Sequence, residues 1–340
     1  MAKAKNNTPS CVLALRFSAL GDVAMVAATV HEFAAAHRDT VFMVVSQPFM
    51  APLFEGSDNV SCIVADIHGR YDGLWGLWKL FLKLRDLRPC IVVDLHDVLR
   101  TKVLRFLFRL TGAKVKKIDK GRKEKRRLTR LKNKQLHPLK TMIERYRETL
   151  YAAMGEQAAS VAATPISREH DEQKDNIKKL GIAPFAYYKG KCYPPERMEK
   201  IVAHFAACGD TEVYLFGGGK AEVDTLSAWE KKYPGVVSMA GKMPLGNELV
   251  KLKTMDVMLS MDSANMHLAS FVNVPVVSVW GATHPFAGFE GWRQRAENSI
   301  QIDMSCRPCS IFGNKSCYRG DYACMNIPEE LIIEQIKKNF

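Results

Sequence analysis

Short apolar runs alternate with amphipathic stretches along this chain, and the whole pattern occurs twice. In the first half, residues 11–15, 41–45, 60–64 and 91–94 read as buried strands. Residues 22–37, 98–110 and 139–154 carry helical periodicity. So does the face marked by Leu74, Trp75, Leu77, Trp78, Phe81, Leu84 and Leu87, whose tryptophans are assigned to the core. Residues 155–175 are rich in Ala, Ser and acids and suit a linker. Strand-like runs resume at 182–186, 212–216, 236–239, 257–260 and 276–279, with helices at 195–207, 221–232, 245–253 and 264–272. A strand buried on both faces loses the polar alternation of a surface strand, so such runs imply parallel sheets sandwiched between helices. The predicted class is α/β: two Rossmann-like domains facing a central cleft, 1–160 and 161–327, with a terminal helix over 328–340. Ligands of such sheets bind beyond the carboxyl ends of the strands, so the chemistry is expected in the loops that follow them.

Composition permits two packed cores: 340 residues, 47% apolar and 25% charged. No run reaches the ~18 apolar residues of a membrane-spanning helix, and the polar first ten residues do not read as a signal peptide, so a cytoplasmic setting is expected. The net charge of +13 is concentrated: residues 114–140 hold 13 Lys+Arg against two acids, which is +11 of it. One reading is a solvated loop. The other is a patch for phosphates, acidic sugars or an anionic membrane face, carried by Lys120, Arg122, Lys123, Lys125, Arg126, Arg127 and Arg130. A nucleic-acid role is disfavoured, because no aromatic residue is interleaved there for base stacking.

Four loops follow predicted strands. In Phe17–Ser18–Ala19–Leu20–Gly21–Asp22, Asp22 opens a helix, where it either caps the turn or presents a carboxylate able to take a proton from a hydroxyl. In Lys189–Gly190–Lys191–Cys192–Tyr193–Pro194, Lys191 is either a surface lysine or a partner for phosphate oxygens. Gly217–Gly218–Gly219 lets a ligand approach the backbone, with Glu222 able to accept from a ribose. In Asp262–Ser263–Ala264–Asn265–Met266–His267 the free N–H groups of a helix start form an anion site, while His267 reads equally as a structural histidine. A carboxylate on one side and phosphate-binding groups on the other suit group transfer from a nucleotide-activated donor. No D-x-D pair is present to grip a diphosphate through a metal. Cys306, Cys309, Cys317 and Cys324, spaced C-x2-C-x7-C-x6-C, read as a structural zinc site, two disulfides, or four reduced thiols.

The motifs R-F-S-A-L-G-D, K-C-Y-P, D-S-A-N-M-H-L-A and V-P-V-V-S-V-W-G-A-T-H-P resemble those of the ADP-heptose–lipopolysaccharide heptosyltransferases, glycosyltransferase family 9. The resemblance implies a GT-B fold and transfer of heptose from ADP-heptose to a lipid-linked acidic saccharide, with inversion, without a required cofactor or metal, at the inner-membrane face. It implies that Asp22 is the base, Lys191 holds the donor phosphates, Glu222 contacts the nucleoside and Met243 lines the base pocket. Asp262, Ser263 and Ala264 would bind the diphosphate near His267, and the last helix would cross back onto the first domain. Tyr193 stands where the family usually has Trp, and Phe185 where it often has a small residue. The alternatives are a GT-B transferase using another nucleotide sugar and a non-catalytic nucleotide- or anion-binding protein.

Overall fold

The computed structural model describes residues 10–157, 166 and 177–340. The chain forms two compact units, one of Met1–Lys120 with Met142–Val161 and the other of Gly121–Thr141 with Ala162–Phe340. The expected 155–175 linker lies almost wholly outside the described residues.

In the first unit five parallel strands, β1 (Ser10–Leu15), β2 (Thr40–Ser46), β3 (Val60–Val64), β4 (Ile91–Asp94) and β5 (Lys114–Lys117), stand in the order β3-β2-β1-β4-β5. Val12, Leu13, Leu15, Val44, Val45, Val92 and Val93 are fully buried, which explains their uninterrupted apolar runs. The chain moves outward from β1 to β3, then returns to add β4 on the other side of β1. The loops after β1 and β4 therefore flank a switch point, where a crevice opens beyond the strand ends. Four helices complete this unit: α1 (Leu20–Ala36), α2 (Gly73–Arg85), α3 (Leu99–Leu110) and, after an excursion described below, α5 (Met142–Met154). Leu77, Leu80, Phe81 and Leu84 of α2 share one core with Leu104 and Phe108 of α3 and with Leu13, Leu15 and Val92 of the sheet. The tryptophans of α2 are not in it. Trp75 is 78% exposed and Trp78 42%, because the sheet-facing stripe is filled by the leucines and Phe81.

The basic run divides between the units. Residues 114–120 close the first sheet, whereas 121–141, including α4 (Arg122–Leu128), belong to the second unit. Two of its cations are structural there. Lys125 is buried with its ammonium 4.2 Å from the Phe289 ring centroid. Lys134 donates to the carbonyls of Ser305, Arg307 and Pro308 at 3.1, 2.7 and 3.2 Å. The expectation that Lys125 belongs to a solvent-facing patch is corrected accordingly: its stem and charge are taken up by packing and a ring face. Arg122, Lys123, Arg126, Arg127 and Arg130 are exposed and Lys120 is half-buried.

The second unit has six parallel strands, β6 (Lys178–Ala183), β7 (Thr211–Leu215), β8 (Val236–Ser238), β9 (Val257–Met261), β10 (Val276–Val279) and β11 (Ser299–Ile300), in the order β11-β10-β9-β6-β7-β8. Its switch point falls between β6 and β9. Helices α6 (Pro195–Ala206), α7 (Lys220–Lys232), α8 (Leu245–Lys253), α9 (Ala264–Phe271) and α10 (Glu329–Lys337) complete it. Strand β6 lies four residues before its expected start. Pairing with β7 begins at Lys178, and Phe185 and Ala186 continue the apolar run past the sheet edge into packing.

Helix α10 packs within the second unit. Ile332 and Ile336 enter the core with Phe205 of α6. Arg197 of α6 donates twice to the Glu329 carboxylate, at 2.9 and 2.5 Å, and that pair holds Glu329 down at about 2. A bidentate pair at the start of a helix, backed by two buried isoleucines, fixes α10 where it is.

Candidate active site

At the switch point of the first sheet, Arg16 leaves the end of β1 and is almost fully buried. It donates to the Leu95 carbonyl in the β4 loop at 2.8 Å and pairs with Asp22 Oδ2 at 2.5 Å. The Tyr146 hydroxyl, from α5, reaches Asp22 Oδ1 at 3.5 Å, and the Arg16 guanidinium stands 5.9 Å from the Tyr146 ring centroid. Burial pushes the Tyr146 phenol up, so it stays a donor. One carboxylate oxygen thus faces a cation and the other a hydroxyl, while a quarter of the Asp22 side chain remains open to solvent. Asp22 is the third residue of α1, whose N-cap position is Ala19, so it does not occupy the capping position. The β4 loop is itself braced. Buried Asp94 accepts from the backbone N–H of His96 and Asp97 at 3.0 and 2.7 Å and from Arg105 at 2.8 Å.

His96 completes this wall. Burial first, and then the Arg16 charge, bring its imidazole down to about 3. It is neutral at neutral pH, and its Nδ1 accepts from the Phe17 N–H at 3.4 Å. The unfolded chain takes up this proton near pH ~6.5, whereas the folded chain does not. The stabilisation is therefore complete above that pH and drains as pH falls towards 3. Lowering the pH from about 7.5 to about 5 is expected to cost about 2 kcal/mol at this site. Thermal unfolding of His96→Asn, which keeps an acceptor for Phe17, should show a shallower loss over that range than the parent protein; an identical loss would remove His96 as a source of it.

At the switch point of the second sheet, Lys191 follows β6 and Asp262 ends β9, and the two pair at 2.9 Å, largely buried. Asp262, expected with Ser263 and Ala264 at the diphosphate, holds the Lys191 ammonium in this structure. The backbone N–H groups that open α9, after Ser263, carry no side-chain cap. His267 lies buried on the second turn of α9, Ala264 half-buried on the first. Glu222 accepts from the Gly218 N–H at 2.8 Å and so shapes the glycine turn. Met243 is half-buried in the turn between β8 and α8.

A cysteine-rich loop supports this second group. Gly313 has φ +75°, and a Cβ added there would lie 2.7 Å from Lys191 Cγ, so the loop lies directly on the lysine stem. The Ala282 N–H donates to the Gly190 carbonyl at 2.8 Å. Arg307, buried at the root of the loop, donates to the carbonyls of Gly281, Ile302, Trp280 and Thr283 and to Gln301. The four cysteines do not gather as a zinc site: among the described residues no group of three or more His, Cys, Asp or Glu is placed to hold a metal. Cys324 sinks into the core, where burial pushes its thiol up to about 11, Cys309 faces the Ala282 carbonyl and Cys317 faces Asp321. All four thiols are free.

Residues 78–316 match the family model for glycosyltransferase family 9 (heptosyltransferase). The chain belongs to glycosyltransferase family 9. Its two parallel α/β sheets give it the GT-B fold. It is 25% identical over 171 residues to lipooligosaccharide heptosyltransferase 2 of Campylobacter jejuni, a stretch covering 48% of this chain and 52% of that relative. The chain thus spans about half the length of that curated relative. The glycosyltransferase of Veillonella parvula superposes with a TM-score of 0.73 at 18% identity, covering 97% of each chain. The E. coli heptosyltransferase WaaC, solved with ADP, gives 0.68 at 17%, covering 97% of this chain and 100% of that one. At these identities the likeness is one of fold.

Asp22, Lys191 and Asp262 all lie at switch points, as loops after strands were expected to. Arg16, His96 and Tyr146 were not singled out from the sequence. Arg16 had a signal, a lone charge ending an apolar strand. Tyr146 had none, because 124 residues separate it from Asp22.

Proposed function

We propose that the protein is an inverting heptosyltransferase that moves heptose from ADP-heptose to a lipid-linked acidic saccharide of the lipopolysaccharide inner core. The observation that carries this reading is that a chain of this family holds an oriented, solvent-open carboxylate at one switch point and a lysine beside an uncapped helix start at the other. Asp22 takes the proton of the acceptor hydroxyl as its oxygen attacks the anomeric carbon. The bond from that carbon to the diphosphate breaks on the opposite face, which inverts the configuration. Lys191 and the first N–H groups of α9 neutralise the departing ADP. Asp262 keeps Lys191 aimed and gives it up in part as the phosphates arrive. Glu222 and Met243 are assigned to the nucleoside, and His267 to the wall behind the phosphates. The absence of a D-x-D pair supports metal-independent transfer. The exposed cations Arg122, Lys123, Arg126, Arg127 and Arg130, with Lys120, are assigned to the acidic acceptor. No helix among the described residues is long and apolar enough to cross a membrane; the lipid-linked acceptor is assigned to surface contact at the cytoplasmic face of the inner membrane.

Nucleotide-dependent thermal stabilisation tests the donor. ADP at about 100 times its Kd is expected to add about 2.7 kcal/mol, with UDP and GDP adding little. Stabilisation by UDP or GDP without ADP would overturn the heptose reading in favour of another nucleotide sugar. Stabilisation by ADP with no transfer to any inner-core acceptor would favour a binding protein.

A further inference from the structure

The first unit carries an apolar, cation-rimmed surface that the proposed chemistry does not use. Helices α2 and α3 lie side by side on one face of the sheet. Phe81 and Phe108 meet edge to face at 5.2 Å between centroids, and Arg100 reaches Asp72 at 3.3 Å where the two helices begin. One stripe of each helix is spent on the core. Each carries a second stripe facing water. On α2 it is Leu74, Trp75 and Trp78, exposed by 75%, 78% and 42%; on α3 it is Leu99, Phe106 and Leu110, exposed by 78%, 60% and 70%. The spacing is helical on both, so these are continuous strips rather than scattered residues. Large apolar side chains exposed along two adjacent helices form a clustered patch of the kind that marks an interaction surface.

Cations predominate around the strips, and exposed Asp72, which precedes α2, is paired with Arg100. Between Gly73 and Leu110 the exposed cations are Lys79, Lys83, Arg85, Arg88, Lys102 and Arg109, and the one exposed acid is Asp86, 3.8 Å from Arg85. This composition decides the occupant. Protein interfaces are depleted in lysine at their centres, and a two-fold contact with a second copy would set two such cation rims against each other. Tryptophan with lysine and arginine is the composition that suits the boundary between water and anionic headgroups.

We infer that the α2–α3 face docks on an anionic phospholipid bilayer. Leu74, Trp75 and Leu99 enter the acyl boundary, and Lys79, Lys83, Lys102 and Arg109 meet the headgroups. The inference deepens the proposed function and rests on it only for its purpose. In a parallel sheet the starts of α2 and α3 lie at the same edge as the start of α1, so docking brings that edge, with Asp22, to the surface where a lipid-linked acceptor is anchored.

Co-sedimentation of the full-length protein with vesicles tests this. Phosphatidylcholine vesicles containing phosphatidylglycerol are expected to bind it at about 0.15 M salt and to release most of it at about 0.5 M. Tryptophan emission should shift to the blue on binding. Trp75→Ser with Leu99→Ser and Phe106→Ser, positions 60% to 78% exposed, should keep the parent melting temperature and lose about ten-fold or more in partitioning. A second variant, Lys79→Glu with Lys83→Glu and Lys102→Glu, should lose as much on anionic vesicles. Both should transfer to a delipidated, soluble acceptor at the parent rate and show raised KM only for vesicle-embedded acceptor. Parent-like partitioning by both variants would overturn the docking face, as would equal binding to purely zwitterionic vesicles at every salt. A parent dimer that the serine variant converts to a monomer would assign the face to a second copy instead. Loss of vesicle binding in a protein that transfers no sugar at all would leave the docking face standing and remove the proposed reaction.

Discussion

Replacing Asp22 with Asn is expected to lower kcat for transfer by about 10²- to 10⁴-fold, the range in which a positioned general base contributes. Affinity for ADP should change by no more than about two-fold, because the groups assigned to the phosphates, Lys191 and the start of α9, belong to the other unit. The amide keeps the shape of the carboxylate and an acceptor for the Tyr146 hydroxyl, so the wall is retained while the proton acceptor is lost. It also removes the anion facing a buried guanidinium, Arg16, so some loss of stability accompanies the kinetic loss. The separation between the two effects is the test. A folded Asp22→Asn protein that binds ADP and transfers sugar within a few-fold of the parent would place the base elsewhere. A loss of ADP affinity matching the loss of rate would mean that Asp22 acts on the donor. Tyr146→Phe offers a graded control: it removes the hydroxyl but not the charge and should cost far less than Asp22→Asn.

The parallel sheets were legible because strands covered on both faces read as near-continuous apolar runs, as 11–15 and 41–45 do. The loops that carry Asp22, Lys191 and Asp262 were legible for a topological reason, since each follows such a strand. What periodicity could not supply was which of two apolar stripes on one helix faces inward. Leu74, Trp75 and Trp78 merge with Leu77, Phe81 and Leu84 into one broad apolar sector, and only the sheet beneath selects the second set. Charge was equally silent about partners. Lys125 and Lys134 read as part of a basic run, yet one is spent on a ring face and the other on three carbonyls. Cysteine spacing likewise said nothing about the core into which Cys324 packs. The buried partners of Asp22 come from β1, the β4 loop and α5, so they exist as a group only after the fold has formed.

Replacing Arg307 with Ala is expected to lower the stability of the second unit by about 4 kcal/mol or more. Its guanidinium serves the carbonyls of Gly281, Trp280, Thr283 and Ile302 and the side chain of Gln301 from a site 2% exposed. Each acceptor left without a donor away from water costs about 1–3 kcal/mol, though not additively. A melting-temperature drop of about 10 °C corresponds to such a loss in a unit of this size. Lysine should not rescue it, because one ammonium cannot reach acceptors arranged around a planar fork. The consequence for the proposed donor site follows from contact. The Gly281–Ala282 segment is bonded to Gly190, and Gly313 of the same loop rests on the Lys191 stem. Loosening the loop therefore frees Lys191 to rotate on its Asp262 anchor, and ADP affinity should fall along with stability. Restoring the fold with a lower temperature but not the affinity would separate these two effects and assign Arg307 the positioning of Lys191 directly. An Arg307→Ala protein that melts within about 1 kcal/mol of the parent would instead mean that water satisfies those carbonyls and that the loop is held by Lys134.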